Sequence, residues 1–252
     1  MSSKSTPFPV TVLKPASATK QLKSFLSRYF YFCKSLAMAG LVLWGFSRTA
    51  DANLFHAHPP RPLILWMHAA AFSTWVVFFI VQSALVRVGR VSVHRLLGWF
   101  GAGIAAAMVA LGFTVAVVMT RFDTRVLHEK GADAFLSVPF TDMIVFGACI
   151  ALAIYWRKRP EYHRRLVFIA TCELMDAAIG RFDFWYNHSL FYLGLDLLVM
   201  LGMARDWAVD GRVHKVYLYA LPPIIVVQSL AVYAWRVDPG WWKGITQAIL
   251  GL

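Results

Sequence analysis

The 252-residue sequence has little charge for its length. Only 15% of its residues are Asp, Glu, Lys or Arg, and 59% are hydrophobic. A soluble globular chain has about 25% charged and about 45–50% apolar residues. A water-soluble fold would expose the excess apolar surface, at about 25 cal/mol per Å². The composition therefore excludes an ordinary soluble domain and predicts an integral membrane protein.

Cysteine is scarce, and the signatures of soluble enzymes are missing. Cys33, Cys149 and Cys172 are odd in number and show no C-x-x-C spacing, so they predict no disulfide framework. The sequence has no phosphate-binding glycine loop, no H-E-x-x-H and no G-x-S-x-G. Any chemistry must then come from polar residues inside the membrane, and the sequence identifies no catalytic residue.

Long apolar runs predict an all-α fold, a membrane bundle of about seven transmembrane helices. A transmembrane helix needs about 20 mostly apolar residues, whereas a barrel strand needs about 10 that alternate. The runs here do not alternate. The predicted spans are 30–47, 63–86, 96–120, 139–156, 166–186, 189–204 and 215–235. A basic N-terminal segment (1–29) precedes this bundle (30–235), and a tail (236–252) with two tryptophans is predicted to lie at the membrane interface.

Lys and Arg are divided unequally between alternate connections of the predicted bundle. Sixteen lie on the side of the N-terminus and eight on the other side. Cytoplasmic loops carry the excess of positive charge, which predicts an N-in, C-out protein of the bacterial cytoplasmic membrane. The net charge of +12 is explained by basic loops that face anionic lipid, so no nucleic-acid partner is expected.

The first and third spans each leave an alternative open. A basic leader, an apolar stretch and Ala50-Asp51-Ala52 resemble a cleavable signal, but the leader is long and Arg48 follows the stretch, which favours a retained span. In the third span, small residues from Gly98 to Gly112 allow close helix packing. They predict a central helix or a homodimer contact, and other membrane subunits are also possible partners.

Polar residues inside the predicted spans are the first candidates for function, because they are costly in lipid. They are Asp142, Glu173, Asp176, Arg181, Asp183, Asp196 and Gln82. On one continuous helix Glu173, Asp176 and Asp183 would share a face, which must point away from lipid. Arg181 is expected to reach the interface or to pair with Asp196 or Asp142. Two interpretations stay open, a network that fixes helix packing and a path for protons or a ligand.

Histidines recur at the predicted span ends. His94 and His163 lie on the inner side, and His68 and His188 lie on the outer side. One interpretation is that these residues anchor the chain at the membrane interface. The other is haem, since two neutral imidazoles from different helices can ligate one iron. One pair at each face, with His68 and His188 as ligands of the outer iron, would carry electrons across the bilayer.

Part of the chain resembles a family of uncharacterised bacterial polytopic membrane proteins. The resemblance covers Trp66 to Gly112, with His94-Arg95-Leu96-Leu97-Gly98, and His163-Arg164-Arg165-Leu166 followed by Arg181. That family is loosely similar to di-haem membrane cytochromes b in helix count and histidine placement, which implies haem b as a cofactor. The sequence departs from the cytochrome pattern, because His94 and His163 precede their predicted helices and His188 falls in a loop.

Three hypotheses for function follow. The protein could be a b-type cytochrome-like electron carrier that uses the histidine pairs. It could be a proton-coupled transporter or channel that uses the acidic face of the fifth span. It could also be a non-catalytic subunit of a larger membrane complex, with polar residues that serve packing alone. Whether it is an enzyme is left open.

Overall fold

The computed structural model describes residues 18–251, so the first part of the basic N-terminal segment, with Lys4 and Lys14, lies outside the described residues. This part of the chain is helical and contains no strand. The helices are α1 (Ala18–Ser47), α2 (Leu63–Arg87), α3 (Val91–Arg125), α4 (Ser137–Tyr155), α5 (Pro160–Glu173), α6 (Asp176–Ile179), α7 (Asp183–Asn187), α8 (Phe191–Asp210), α9 (Lys215–Val237) and α10 (Gly240–Leu250). A π-helical turn (Asp51–Phe55) follows α1, and a 3₁₀ turn (Ala134–Leu136) precedes α4.

Five helices are long and apolar enough to cross a membrane. They comprise residues 20–47, 63–87, 91–125, 134–155 and 215–237. Large apolar side chains cover the exterior, and Leu96, Trp99 and Tyr219 are 75%, 63% and 77% exposed. A surface of this kind fits lipid and would be costly in water. The prediction of an all-α membrane protein is confirmed at this level.

Contacts between helix termini show that the long helices run up and down the bundle. At one end, which we call the basic end, the Arg87 side chain lies over the Tyr29 ring, and Arg157 lies over the Trp99 ring. At the opposite end, Arg61 donates to Asp123 at 3.0 Å. Arg121 and Arg125 also bond the last carbonyls of α10 there. The connections from α1 to α5 therefore alternate between the two ends, and the alternation over the rest of the chain stays a prediction.

The fifth predicted span is not one continuous helix, and this part of the prediction is wrong. α5 ends at Glu173, and a bond from the Met175 N–H to the Cys172 carbonyl tightens its last turn. The short α6 and α7 follow, each begun by an aspartate, which favours a helix N-terminus. Asp183 is exposed and does not share the buried face of Glu173 and Asp176.

Other helix bounds also differ from the prediction. α3 and α5 begin several residues earlier than expected, at Val91 and Pro160, so His94 and His163 lie within their helices. α8 continues to Asp210, six residues beyond the predicted end at 204. Hydropathy marks the apolar part of a helix, whereas polar first and last turns outside lipid leave no such signal.

The small residues of α3 serve close packing on one of its faces. A Cβ at Gly101 would overlap the Phe78 ring of α2, and one at Gly112 would overlap the Met143 side chain of α4. Gly98 and Gly103 have no atom within 4 Å of an added Cβ. α3 is thus a packed helix between α2 and α4, as predicted, and the homodimer contact stays a prediction.

Candidate functional site

Six buried polar residues meet where α4, α5, α6, α8 and α9 come together. This acidic cluster consists of Asp142, Glu173, Asp176, Tyr192, Asp196 and Gln228, each no more than 9% exposed. Glu173 ends α5, about 20 Å along the axis from its first residue at the basic end. The cluster thus lies within the bundle, in the half nearer the opposite end.

Neutral side chains supply the hydrogen bonds of the acidic cluster. The Tyr192 hydroxyl donates to Asp142 Oδ1 at 2.7 Å. The Gln228 amide donates to both carboxyl oxygens of Glu173 at 3.3 Å. Asp176 lies within hydrogen-bonding reach of Asp142, and Asp196 is close enough for its charge to act on Glu173. Four carboxyl groups therefore share one apolar site.

The acidic cluster forms no ion pair among the described residues, although the charge of Arg181 is close enough to act on Asp176. None of the salt bridges within 18–251 includes Asp142, Glu173, Asp176 or Asp196. Arg181 lies on the Phe46 ring, 3.6 Å from its centroid. It donates to Thr49 Oγ1 at 2.9 Å and to the Ala177 carbonyl. Of the two alternatives for Arg181, pairing with Asp196 or Asp142 is not observed, and the reach to the interface stays a prediction.

A polar cleft opens at the opposite end beside the acidic cluster. It has a volume of about 390 Å³ and is lined by Thr49, Asn53, Gly180, Arg181, Asp183 and Tyr186. Gly180 follows α6 directly, and its N–H bonds the Asp176 carbonyl at 2.7 Å. The cleft thus lies on the exterior at the end of α6, the short helix that begins at Asp176.

A second polar group, the ion-pair network, lies at the basic end between α5 and α8. Arg165 Nε donates to Asp206 Oδ2 at 2.6 Å, and Arg165 Nη1 lies 2.6 Å from Glu161 Oε2. Arg205 Nη1 donates to Asp206 Oδ1 at 3.0 Å and to Asp210 Oδ2 at 3.2 Å. Arg164 also pairs with Glu161, so three arginines face three carboxylates, which marks a structural network more than a ligand site.

Two titratable groups beside the ion-pair network, Glu161 and His214, have pKa values below their ordinary values. Burial opposes the charged form of Glu161, but the hydrogen bond from Arg165 and the charge of Arg164 outweigh it, so the pKa of Glu161 is lowered. Burial, reinforced by the charge of Arg165, lowers the pKa of His214. Neutral His214 caps α9, because its Nδ1 accepts from the Val216 N–H at 3.2 Å.

His94 and His163 lie side by side at the basic end. Their ring centroids are 6.2 Å apart and the ring planes meet at 77°. His163 Nδ1 lies 2.9 Å from the Ala153 carbonyl, which leaves its Nε2 free of that bond. His94 Nδ1 is buried and has no partner within 18–251. The predicted inner pair is thus brought together.

His68 and His188 have separate neighbours. The His68 ring is half-buried and stacks on Phe72 with 3.9 Å between centroids. His188 is exposed after α7, with Nδ1 2.8 Å from the Phe184 carbonyl and its ring against the same residue. The structure does not bring this pair into ring contact.

Several residues of these sites were not found by sequence reasoning. Asp206 and Arg205 lay beyond the predicted end of the sixth span, and Gln228 is a single polar residue in an apolar run. Tyr192 had a usable signal, since it stands four residues before Asp196 and therefore on the same helical face.

Among residues 18–251, no group of three or more His, Cys, Asp or Glu is placed to hold a metal ion. Comparison with known proteins adds no relationship: no family model, no curated protein and no solved structure matches the chain.

Proposed function

We propose that this chain is a proton-coupled transporter or proton channel, with the acidic cluster as its proton-binding site. The observation that supports this is the burial of Asp142, Glu173, Asp176 and Asp196 together, with none of them in a salt bridge among the described residues. Ionised carboxylates are very costly in an apolar interior unless they are paired. Several carboxyl groups in one such site share protons and titrate as a set.

Access to the acidic cluster supports the same proposal. The cleft at the opposite end reaches Gly180 and Arg181, next to Asp176. An arginine that lines the cleft repels free cations. Protons, which move along hydrogen-bonded groups, can pass where a hydrated cation cannot.

The break between α5 and α6 supports the proposal further. Non-helical backbone at membrane depth occurs where it is buried in protein or lines a cavity. Here Leu174 and Met175 interrupt the helix between Glu173 and Asp176. Broken helices of this kind form the ion and substrate sites of many transporters.

The experiment is a proton-flux assay with purified protein in liposomes that contain a pH-sensitive dye. An imposed pH gradient should collapse faster with the wild type than in empty liposomes, and Asp142→Asn should abolish the difference. Asp183→Asn is the matched control, because Asp183 is exposed and outside the acidic cluster. Equal flux in the Asp142→Asn variant and the wild type would refute the proposal.

A second candidate is a b-type cytochrome, and the contact between His94 and His163 favours it. Each Fe–N bond is about 2 Å, near other imidazole–metal bonds, so two rings about 6 Å apart between centroids suit one iron. Haem bound there would supply a one-electron redox centre. His68 and His188 are not offered as a second site, since their rings contact different aromatic residues, Phe72 and Phe184. The cytochrome candidate therefore rests on one histidine pair.

Haem is tested by the absorption spectrum of protein expressed with haem supplied. The cytochrome would be supported by a Soret band together with visible bands that sharpen on reduction. His163→Ala should remove these bands. His188→Ala is the matched control and should keep the band. A colourless protein would exclude this candidate and leave the proton proposal untouched.

We further propose seven crossings of the bacterial cytoplasmic membrane with the N-terminus inside. α5, α6 and α7 together would form the fifth crossing and α8 the sixth, which fits the alternation of connections between the two ends. The excess of Lys and Arg at the basic end supports the orientation. Labelling of a cysteine placed at Lys130 should succeed from outside the cell, and labelling only from the cytoplasm would reverse the topology.

A further inference from the structure

Polar side chains without partners follow the inward face of α2. Trp75 is 4% and Gln82 is 7% exposed, and both point into the protein. The Trp75 indole N–H and both amide atoms of Gln82 have no hydrogen-bond partner within 18–251. Buried polar atoms of this kind are rare, and an internal water commonly accounts for them.

The row of polar residues continues beyond Trp75 and beyond Gln82. His68 lies seven residues before Trp75, and its Nδ1 also has no partner among the described residues. His94 lies near the Gln82 backbone, and its Nδ1 is likewise buried without a partner within 18–251. Residues spaced by seven share one helical face, and fourteen residues rise about 21 Å. The row therefore extends over most of the apolar thickness of a bilayer, about 30 Å.

We propose that the inward face of α2 binds a file of internal water molecules between Trp75 and His94, with Gln82 as its central partner. An amide with two donors and an acceptor can bond waters above and below it. The Trp75 indole N–H donates to the water farthest from the basic end. The unpartnered Nδ1 of His94 bonds the water nearest the basic end. No redox step or covalent step is involved.

The file lies on the side of the acidic cluster that faces the basic end. The Trp75 ring packs edge-on against Phe146 of α4, with 5.3 Å between centroids. Phe146 is one helical turn from Asp142 and is fully buried. Water on α2 would thus bring protons from the basic end to within one side chain of the acidic cluster. This role in proton movement rests on the proposed function. The water site itself is inferred from the unpartnered atoms and does not depend on that function.

Radical footprinting in ¹⁸O-labelled water tests the file on the intact protein. Brief X-ray irradiation oxidises side chains that contact bound water. Trp75 should be oxidised in the wild type, and Gln82→Leu should reduce its oxidation several-fold. Trp242 is the matched control: it is 8% exposed, and its indole N–H already donates to the Ala134 carbonyl at 3.0 Å. Its oxidation should not change.

Thermal unfolding of Gln82→Leu gives a second measurement. If the amide truly lacked a partner, its removal would raise Tm by about 2 °C or more, because a buried unsatisfied group is destabilising. The water file predicts an unchanged or lower Tm. An increase of that size, or Trp75 oxidation that is undetectable or unaffected by Gln82→Leu, would overturn the inference.

Proton flux separates the two proposals. Asp142→Asn should stop flux while Trp75 oxidation persists. If the wild type carries no flux but Trp75 is oxidised in the manner described, the water file stands and the proposed function fails. If flux depends on Asp142 but Trp75 stays unoxidised, the proposed function stands and the water file fails.

Discussion

Arg165 and Asp206 form a buried ion pair at 2.6 Å, and the two side chains are 1% and 0% exposed. The pair joins α5 to α8, and its two residues are 41 positions apart in the sequence. Asp206 also accepts from Arg205, so one carboxylate bonds two guanidinium groups. The contact sets the relative position of two helices whose other ends carry carboxyl groups of the acidic cluster.

Removal of one partner of this pair should destabilise the protein strongly. We expect Asp206→Asn to lower the free energy of unfolding by about 3–5 kcal/mol, because it leaves a buried guanidinium without its full counter-charge. Thermal unfolding in detergent measures the effect. The matched control is Asp123→Asn, whose partner Arg61 is 15% exposed, and its loss should cost at most about 1 kcal/mol. Equal losses would contradict the structural role.

The His214 cap should make stability pH-dependent. The folded state lowers the pKa of His214 below its ordinary value of 6.5, so the unfolded chain binds a proton first as pH falls. The stability from neutral His214 is fully present above pH 6.5 and decreases below it. His214→Asn keeps a capping acceptor but cannot titrate, so its Tm should fall less between pH 7 and pH 5. His214→Ala should lose about 1 kcal/mol of cap energy at pH 7.

Glu161 should add a second, more acidic pH window. Its folded pKa lies below its ordinary value of 4.5, so the stability that it contributes is present above pH 4.5 and is lost as pH falls further. Glu161→Gln should weaken the pH dependence of Tm in that range and leave the region near pH 6 unchanged. A loss near pH 6 instead would assign the effect to another group.

The hydroxyl of Tyr192 should support the acidic cluster. Tyr192→Phe removes the 2.7 Å bond to Asp142 and leaves a buried acceptor with one donor fewer. We expect the free energy of unfolding to fall by about 1–3 kcal/mol. Tyr219→Phe is the matched control, since Tyr219 is 77% exposed, and its effect should be negligible. Denaturation in mixed detergent gives both values.

Close approach between α1 and α6 should depend on Gly45. An added Cβ there would lie 3.0 Å from the backbone Cα of Ala178, which cannot move without shifting α6. We expect Gly45→Ala to cost about 1–3 kcal/mol. Gly40 lies on the same helix with nothing within 4 Å of an added Cβ, and Gly40→Ala should be neutral or stabilising by about 1 kcal/mol.

The positions of the histidines were predictable from the sequence only in part. Their positions near helix ends followed from hydropathy, and the contact of His94 with His163 was expected from equal depth. The fifth predicted span, by contrast, ends early at Glu173, and α6 and α7 follow it as separate short helices. A periodic pattern continues through such a break, so spacing alone cannot reveal it.

The acidic cluster was likewise half predictable. Burial of Glu173 and Asp176 followed from the cost of charge in lipid, and this part of the prediction is confirmed. Asp183 shares the face of Glu173 and Asp176 only if the helix is continuous. The sequence pattern does not predict Tyr192 or Gln228 as partners of these carboxyl groups. Which polar groups meet depends on how separate helices pack, and one sequence carries no signal of those contacts.

Composition and apolar runs by themselves determined that the chain is helical and that it suits a membrane, because these properties depend on transfer of each segment from water to lipid. Only the tertiary structure decided that Arg165 bonds Asp206, that four carboxyl groups meet without a salt bridge among the described residues and that His68 and His188 take separate neighbours. Those contacts join residues far apart in sequence, and side-chain packing between helices selects them.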